Sequence, residues 1–415
     1  MPREIHLLIL IHGMWGAPGN LVTLEKTIKD KYDESNERGG EELELLCVKA
    51  IGNGVTYDGI DWGGERVAAE VLERVEDLEK DSDKVVKLSI TGYSLGGLIA
   101  RYMLGILEHR HFFDNVEPIN FVTIATPHLG LLNYPSMVSS LMSTFVPKLL
   151  SRTGEQFYCL DTWSNTGRPL IEVMADPNEV FYKTLSRFKY LRLYANAIND
   201  ATVPYCTSAI ETQDVFVEYT SNGIKVEMEE DYDHVVSNFT IPDAPPPKPA
   251  ILSREWLVSM RPKPLLPPFR FPFNIMLHGI LPIVIIPAIT FFICRFIYET
   301  RASRNRIQQS ESEESYRQRL SSVFHELENK VESTVIEVVE EGGSYSIINP
   351  KLHPAITPLQ KKIAGWLNQL PFEKKLAYFP DVRNSHPVII CRDLHRFQSR
   401  EFIVNFAHNL DTHLI

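Results

Sequence analysis

Residues 85–107, VVKLSITGYSLGGLIARYMLGIL, pass from a β-branched apolar run into a helical pattern through Gly92-x-Ser94-x-Gly96, with no loop between the two. A strand that turns at once into a helix must bring backbone close to backbone, and glycine on either side of the serine permits that approach. The same rhythm recurs along the first half of the chain. His6–Ile11, Leu43–Ala50, Val85–Thr91, Asn120–Ala125 and Tyr190–Ala195 read as short apolar strands. Val67–Leu78 and Leu98–Leu107, with apolar residues three or four apart, read as helices. Near-continuous apolar strands alternating with helices predict a mostly parallel, doubly wound α/β sheet covered on both faces. Residues 131–188 interrupt the alternation and read as an inserted cap, and 212–230 read as a hairpin turning at Ser221-Asn222-Gly223.

The glycine-flanked serine carries a chemical implication. In a nucleophile elbow the sharp turn lifts the serine hydroxyl above the sheet, and the helix that follows offers its free N–H groups beside it. Ser94 is the candidate nucleophile, with the Leu95 amide as one oxyanion donor. A second donor is expected from the turn His12-Gly13-Met14-Trp15-Gly16 after the first strand, and Met14 is assigned to it. His12 sits in that turn and orients backbone rather than acting as a base. An acid is expected in a loop at the carboxyl end of a later strand, where open α/β sheets build their sites. Asp200, in YLRLYANAINDATVP, has that position; Asp161 and Asp176, inside the cap, are weaker candidates. The base follows the acid in chain order, which favours His386 in KLAYFPDVRNSHPVII, with His234 in EEDYDHVV as its rival.

Composition changes after residue 240. Residues 241–290 hold 12 of the 27 prolines and open with PDAPPPKPA, an extended linker. Phe271 to Cys294 is a run of 24 residues without a formally charged side chain, long enough to insert in a membrane. Arg295, Arg301, Arg304 and Arg306 follow it, and then Leu320, Phe324, Leu327, Val331, Val335 and Val338 mark one face of an amphipathic helix. The chain thus divides into a core over 1–240, a linker and hydrophobic segment over 241–310, and a C-terminal part over 311–415 that completes the core. The net charge of −11 gives no basic footprint for nucleic acid. Five scattered cysteines suggest neither a disulfide framework nor a zinc site, and a reducing compartment fits them. MPREIHLLILIHG is too short in apolar residues for a signal peptide, so the sequon at Asn238 is read as unused.

The set LILIHGMWG, TGYSLGGLIARY, TIATPHLG and LYANAINDATVP resembles the serine esterase family of α/β-hydrolases, in particular its fungal lipid-droplet phospholipase branch. The match is good over roughly residues 5–210 and recurs more loosely in VRNSHPVIICR. The resemblance implies an acyl hydrolase of glycerophospholipids, with Ser94 as nucleophile, Asp200 as acid and His386 as base. Neither metal nor organic cofactor is implied. A neutral-lipid or sterol-ester lipase, or a catalytically silent membrane scaffold on the same fold, are the alternatives. The expected partners are a phospholipid or other acyl lipid and the surface that carries it, a lipid droplet or the endoplasmic reticulum membrane, with the catalytic part facing the cytosol. If His386 and Ser94 share a site, the chain lies on one side of the membrane before and after the hydrophobic segment. A shallow hairpin bent near Pro282 and Pro287 is then expected rather than a single crossing.

Overall fold

Apolar residues on both faces of the strands dictate a sheet buried from two sides. In β1 (Glu4–Ile11), the side chains of Ile5, Leu7, Ile9 and Ile11 enter one core and those of Leu8 and Leu10 the other, as the two-residue period of a strand requires. This architecture comes from a computed structural model that describes residues 3–35, 41–135, 145–163, 167–247, 253, 273–312 and 352–393.

With β2 (Glu42–Cys47), β3 (Lys84–Tyr93), β4 (Glu117–Ile124) and β5 (Tyr190–Asn196), β1 forms parallel pairs in the order β2-β1-β3-β4-β5. The five predicted strands are all present, shifted by a few residues at their ends. Three more strands, β6 (Lys225–Glu229), β7 (Tyr232–Thr240) and β8 (Phe372–Ala377), extend the sheet as β5-β8-β7-β6. β8 lies parallel to β5, and β7 and β6 are antiparallel. A strand from beyond residue 370 therefore sits between two that precede residue 241, so the C-terminal part is built into the sheet.

Helix α1 (Val22–Ser35) covers one face through Leu24 and Ile28, beside Val388, Ile389 and Ile390. Helices α2 (Ile60–Lys80) and α3 (Leu95–His109) cover the other. The described part of the β4–β5 connection contributes the short helices Ser151–Phe157, Leu170–Ala175 and Val180–Leu185. They belong to the same helical layer: Phe181 stacks on Tyr102 of α3 at 5.2 Å between ring centroids.

Two expectations are corrected. The hairpin is not centred on Ser221-Asn222-Gly223; it joins β6 to β7 through Glu230-Asp231. The hydrophobic segment is not bent into two arms but belongs to one helix, Phe273–Ser312, that continues past Pro282 and Pro287. A proline removes one backbone hydrogen bond and strains the turn before it, a local cost that a helix of 40 residues survives. The C-terminal part of this helix docks on the core. Ser303 is buried, Thr300 Oγ1 donates to the Leu149 carbonyl at 2.8 Å, and Arg306 pairs with buried Asp58 at 2.7 Å. Among the described residues no helix is long and apolar enough to cross a membrane. The amphipathic stretch predicted over Leu320–Val338 lies outside the described residues.

Buried histidines give the fold a pH signature. His6 shares a 2.8 Å hydrogen bond with Ser89, and burial lowers its pKa from 6.5 to about 3; burial also lowers His12 and His128. The folded state keeps His6 neutral while the unfolded chain protonates it below 6.5, so this contribution is full above that pH and is lost as pH falls toward 3. Asp161 and Asp214, raised to about 6 by burial, act with the opposite sign, so a variant compared with wild type at each pH isolates the histidine. His6→Gln should be less stable than wild type at pH 7. The gap in unfolding free energy should close by up to about 1.4 kcal/mol per pH unit below 6.5, read from urea titrations.

Candidate active site

The site is assembled where β1, β3 and β5 end. Ser94 follows β3 with φ 55° and ψ −124°, a left-handed conformation that a non-glycine residue adopts only where its surroundings impose it. Its N–H donates to the Ile124 carbonyl at 2.8 Å, and its own carbonyl accepts from Gly97 N–H at 3.1 Å. A Cβ on Gly96 would stand 2.3 Å from the Ile11 carbonyl oxygen, so only glycine lets α3 begin so close under β1. The turn after β1 lies against the serine. A Cβ on Gly13 would fall 2.7 Å from Ser94 Cβ and 3.3 Å from Oγ.

His386 reaches this serine from the other end of the sequence. Its Nε2 is 3.1 Å from Ser94 Oγ, and its Nδ1 is 2.9 Å from Asp200 Oδ2. The loop that carries it is tied to the loop that carries Asp200. Ser385 N–H donates to the Asn199 carbonyl at 2.9 Å, and Asn384 Oδ1 accepts from the N–H groups of both Ala201 and His386 at 3.2 Å. Tyr93 lies beneath, its hydroxyl donating to the His386 carbonyl at 2.9 Å and its ring centroid 5.0 Å from the imidazole. Burial raises the Tyr93 phenol, which keeps it a neutral donor.

Asp200 is fixed from all sides. Its Oδ1 accepts from the N–H groups of Thr202 and Val203 at 2.9 and 2.7 Å, and its Oδ2 accepts from Asn196 Nδ2 at 2.8 Å as well as from His386. A carboxylate held this way keeps the imidazole in one tautomer, Nδ1–H toward the acid and Nε2 toward the serine. Such an arrangement can take the proton of a hydroxyl as it attacks a carbonyl.

The structure thus brings Ser94, Asp200 and His386 together and places Leu95 at the first turn of α3, where N–H groups lack intrahelical acceptors. Met14 stands in the turn against Ser94. His12 is buried with Nδ1 3.0 Å from the Gly13 carbonyl, as a residue that shapes the turn, and burial lowers its pKa. His234 is elsewhere: it lies in β7 with Nδ1 3.2 Å from the Tyr378 carbonyl and its ring against Phe379. Asp161 accepts from Leu170 N–H, and Asp176 pairs with Arg168. Asn196, Asn384 and Tyr93 are supports that sequence reasoning missed. Asn196 and Asn384 do stand within a few residues of the proposed acid and base, a signal that could have found them.

A family model described as "Putative serine esterase" matches residues 1–212. The chain belongs to this family. The match includes Ser94 and Asp200 and ends before His386, so the third residue is supplied by the fold rather than by the matched region. Similar curated proteins are "Putative lipase C4A8.10" of Schizosaccharomyces pombe, 31% identical over 216 residues, and "Putative lipase YDL109C" of Saccharomyces cerevisiae, 30% identical over 228. "Putative lipase ROG1" of Saccharomyces cerevisiae is 29% identical over 224. These alignments cover 50%, 53% and 52% of this chain but only 26%, 32% and 30% of the relatives, so the chain spans about a quarter to a third of their length.

The contact between Gly13 and the serine yields a test. In Gly13→Ala the new methyl must displace Ser94 or the Tyr93 carbonyl, which it would approach at 3.2 Å. Modification of Ser94 by a fluorophosphonate should slow on the order of tenfold to a hundredfold, the effect of misplacing a reacting group by about an ångström. Unfolding free energy should fall by no more than about 1–3 kcal/mol, the ordinary result of overpacking.

Proposed function

We propose that this chain is a membrane-attached serine acyl hydrolase that cleaves acyl esters of glycerophospholipids. The observation that carries the reading is the hydrogen-bonded series from Ser94 Oγ through His386 to Asp200. Ser94 Oγ attacks the ester carbonyl while His386 Nε2 takes its proton, and the N–H groups of Met14 and Leu95 receive the oxyanion. The imidazolium then gives the proton to the departing lysolipid alcohol, leaving an acyl-serine. Water, losing a proton to the same nitrogen, attacks this ester, and the proton returns to Ser94 as the fatty acid leaves. Asp200 holds the imidazole and stabilises its charged form. The cycle draws on no metal or organic cofactor.

The lipid surface enters the reading through the long helix. Ile286, Ile289, Phe291, Phe292, Ile293 and Ile297 are all more than 40% exposed; five of them share one broad face of the helix and Phe291 stands opposite, and no formally charged side chain occurs on any side over 273–294. A helix apolar on every side suits surroundings that are apolar on every side, as acyl chains are. Arg295, Arg301 and Arg304 follow at the place where anionic headgroups would lie. The helix end bearing Thr300, Ser303 and Arg306 rests on the catalytic body, so insertion would hold the site at the surface of a lipid droplet or of the endoplasmic reticulum, on the cytosolic side. The names of the relatives as lipases support a lipid ester as substrate, and phospholipid is the finer choice tested below.

Ser94→Ala should lose ester hydrolysis on the order of 10⁶-fold, and His386→Ala nearly as much, with the double variant little worse than either because such residues act as a unit. His234→Ala should stay near wild type. Survival of Ser94→Ala activity within tenfold would end the assignment. Comparing phosphatidylcholine, phosphatidylethanolamine and triacylglycerol emulsions decides between phospholipase and neutral-lipid lipase.

Membrane attachment has its own measurement. The paired substitution Ile289→Glu with Phe292→Glu should abolish co-flotation with phospholipid vesicles. A glycosylation acceptor inserted after Arg306 should remain unmodified in cells, because Arg306 is bound to the catalytic body. Glycosylation there would place the site in the lumen and overturn the cytosolic orientation.

A further inference from the structure

The turn after β1 carries a tryptophan where its backbone asks for glycine. Gly16 N–H donates to the Gly13 carbonyl at 3.1 Å and closes a four-residue turn, in which Trp15, the third residue, has φ 55°. Met14 before it lies outside the left-handed region. A positive φ at the third residue alone is the type II form, and glycine is the usual occupant there. The two glycines of this turn stand at its ends instead, where close approach requires them: a Cβ on Gly13 would fall 2.7 Å from Ser94 Cβ, and one on Gly16 2.5 Å from His12 Nδ1. Trp15 must therefore be held in its conformation by what surrounds it.

It is held at both of its N–H groups. The main-chain N–H donates to Thr56 Oγ1 at 3.3 Å, and the indole N–H donates to Tyr57 Oη at 2.8 Å. Thr56 and Tyr57 are buried in the short helical turn Asn53–Tyr57, and the Thr56 carbonyl accepts from Thr153 Oγ1 at 2.8 Å, so the anchor is itself fixed. The indole is half exposed, yet its N–H is directed to a buried residue rather than to solvent. Phe296 of the long helix lies 6.2 Å from it. These contacts sort the N–H groups of the turn. That of Trp15 goes to Thr56 and that of Gly16 to Gly13, while that of Met14, the proposed oxyanion donor, has no acceptor among the described residues.

We propose that Trp15 is a positioning residue for the oxyanion donor: the hydrogen bond from its indole to Tyr57 holds the turn in the form that presents the Met14 N–H to the carbonyl oxygen of an ester at Ser94. This rests on the acyl-hydrolase reading and deepens it. The carbonyl oxygen gains its charge only as Ser94 attacks, so a donor fixed in advance lowers the barrier and leaves substrate affinity nearly unaltered. Two simpler roles for Trp15 make different demands. A side chain that served only to touch lipid would use its apolar surface, and the hydrogen bond to Tyr57 would be immaterial. A residue that served only the backbone of the turn would be better replaced by glycine, which adopts positive φ without strain.

The test uses the full chain and a soluble ester, 4-nitrophenyl butyrate, so that lipid contact plays no part. In Trp15→Phe, which keeps the ring and loses the indole N–H, kcat should fall about tenfold with KM within about twofold, a part of the roughly 10²–10³-fold lost when such a donor is removed altogether. Butylboronic acid forms a tetrahedral adduct on the serine and engages the same donor, so its inhibition constant should rise by about the same factor as kcat falls. Tyr57→Phe removes only the acceptor oxygen and should match both effects. The double variant should be no more than about twofold worse than either, because both lose one hydrogen bond. Trp15→Gly should lose about tenfold or more, although glycine suits the turn. The proposal is overturned by phenylalanine variants within about twofold of wild-type kcat, by losses that multiply in the double variant, or by a fall in kcat without a matching loss of boronate affinity. Wild-type kcat in Trp15→Gly overturns it as well, and should that variant fail to fold, the phenylalanine pair decides alone. Wild type that neither hydrolyses the ester nor takes a fluorophosphonate on Ser94 overturns the hydrolase reading and the proposal with it. Active wild type with unaffected variants overturns the proposal and leaves the hydrolase reading standing.

Discussion

Everything at this site depends on a close contact between backbones: α3 starts directly under the end of β1, with Gly96 against the Ile11 carbonyl. That contact leaves no room for a loop after β3, so Ser94 must take the left-handed turn by itself. The strain is of order 1–3 kcal/mol for a residue held at such angles, and the β1, β3 and β4 pairings on either side keep it in place. Because β1 also leads into the Gly13-Met14 turn, one packing contact sets the relative positions of the serine hydroxyl, the first N–H groups of α3 and the opposing turn. The site residues from the first half of the chain are thus positioned by sheet packing rather than by flexible loops.

The base is delivered by a longer route. The chain makes β5 and the Asp200 loop, adds the β6–β7 hairpin at the edge of the sheet, leaves the sheet for the long helix, and returns as β8 between β5 and β7. Only the return puts the His386 loop beside the Asp200 loop. The links between them, through Asn384, Ser385 and the carbonyls of Ile198 and Asn199, are mostly side chain to backbone, so they depend on the conformation of both loops. Val388, Ile389 and Ile390 then bury against α1 and the inner face of β1, anchoring the loop from its far side. An imidazole brought from so distant a part of the chain needs both restraints to hold two hydrogen bonds at once.

How much of this was legible in the sequence follows from the kind of signal each part carries. Strands buried on both faces announce themselves as apolar runs, and the Gly-x-Ser-x-Gly turn and the Asn-Asp at the end of β5 are local. Ser94 and Asp200 were readable as candidates for that reason, and His386 was singled out from the several histidines after Asp200 by its place in a loop following the last strand. The hairpin was misread for an equally physical reason. Ser221-Asn222-Gly223 is a strong turn signal, but Asn222 is buried and uses its amide to bind the Val215 carbonyl and Ile224 N–H within a loop. The real turn, Glu230-Asp231, contains neither glycine nor asparagine. The bend expected at Pro282 and Pro287 failed because proline weakens a helix locally without dictating that the chain reverse. The role of Tyr93 beneath the imidazole was invisible because it depends on which residues face one another across the fold, and no periodicity encodes that.

The docking of the long helix ties the lipid-directed part of the chain to the chemistry more closely than a linker would. Phe296 lies 6.2 Å from Trp15, the residue after Met14, and Trp15 in turn donates its indole N–H to Tyr57 at 2.8 Å and its main-chain N–H to Thr56. Asp58, the residue after Tyr57, holds Arg306 of the same helix. The turn that would supply an oxyanion donor is therefore braced by the helix whose other half exposes its apolar side chains, and Trp15 itself is half exposed at a φ of 55°. On the proposed reading, burying the helix in lipid also fixes the height of this turn above the surface, so a lipid ester rising from the layer meets the donor and the serine together. A soluble ester gains nothing from that arrangement, because its approach does not depend on where the helix lies. The selectivity for packed lipid would then reside in the geometry of attachment.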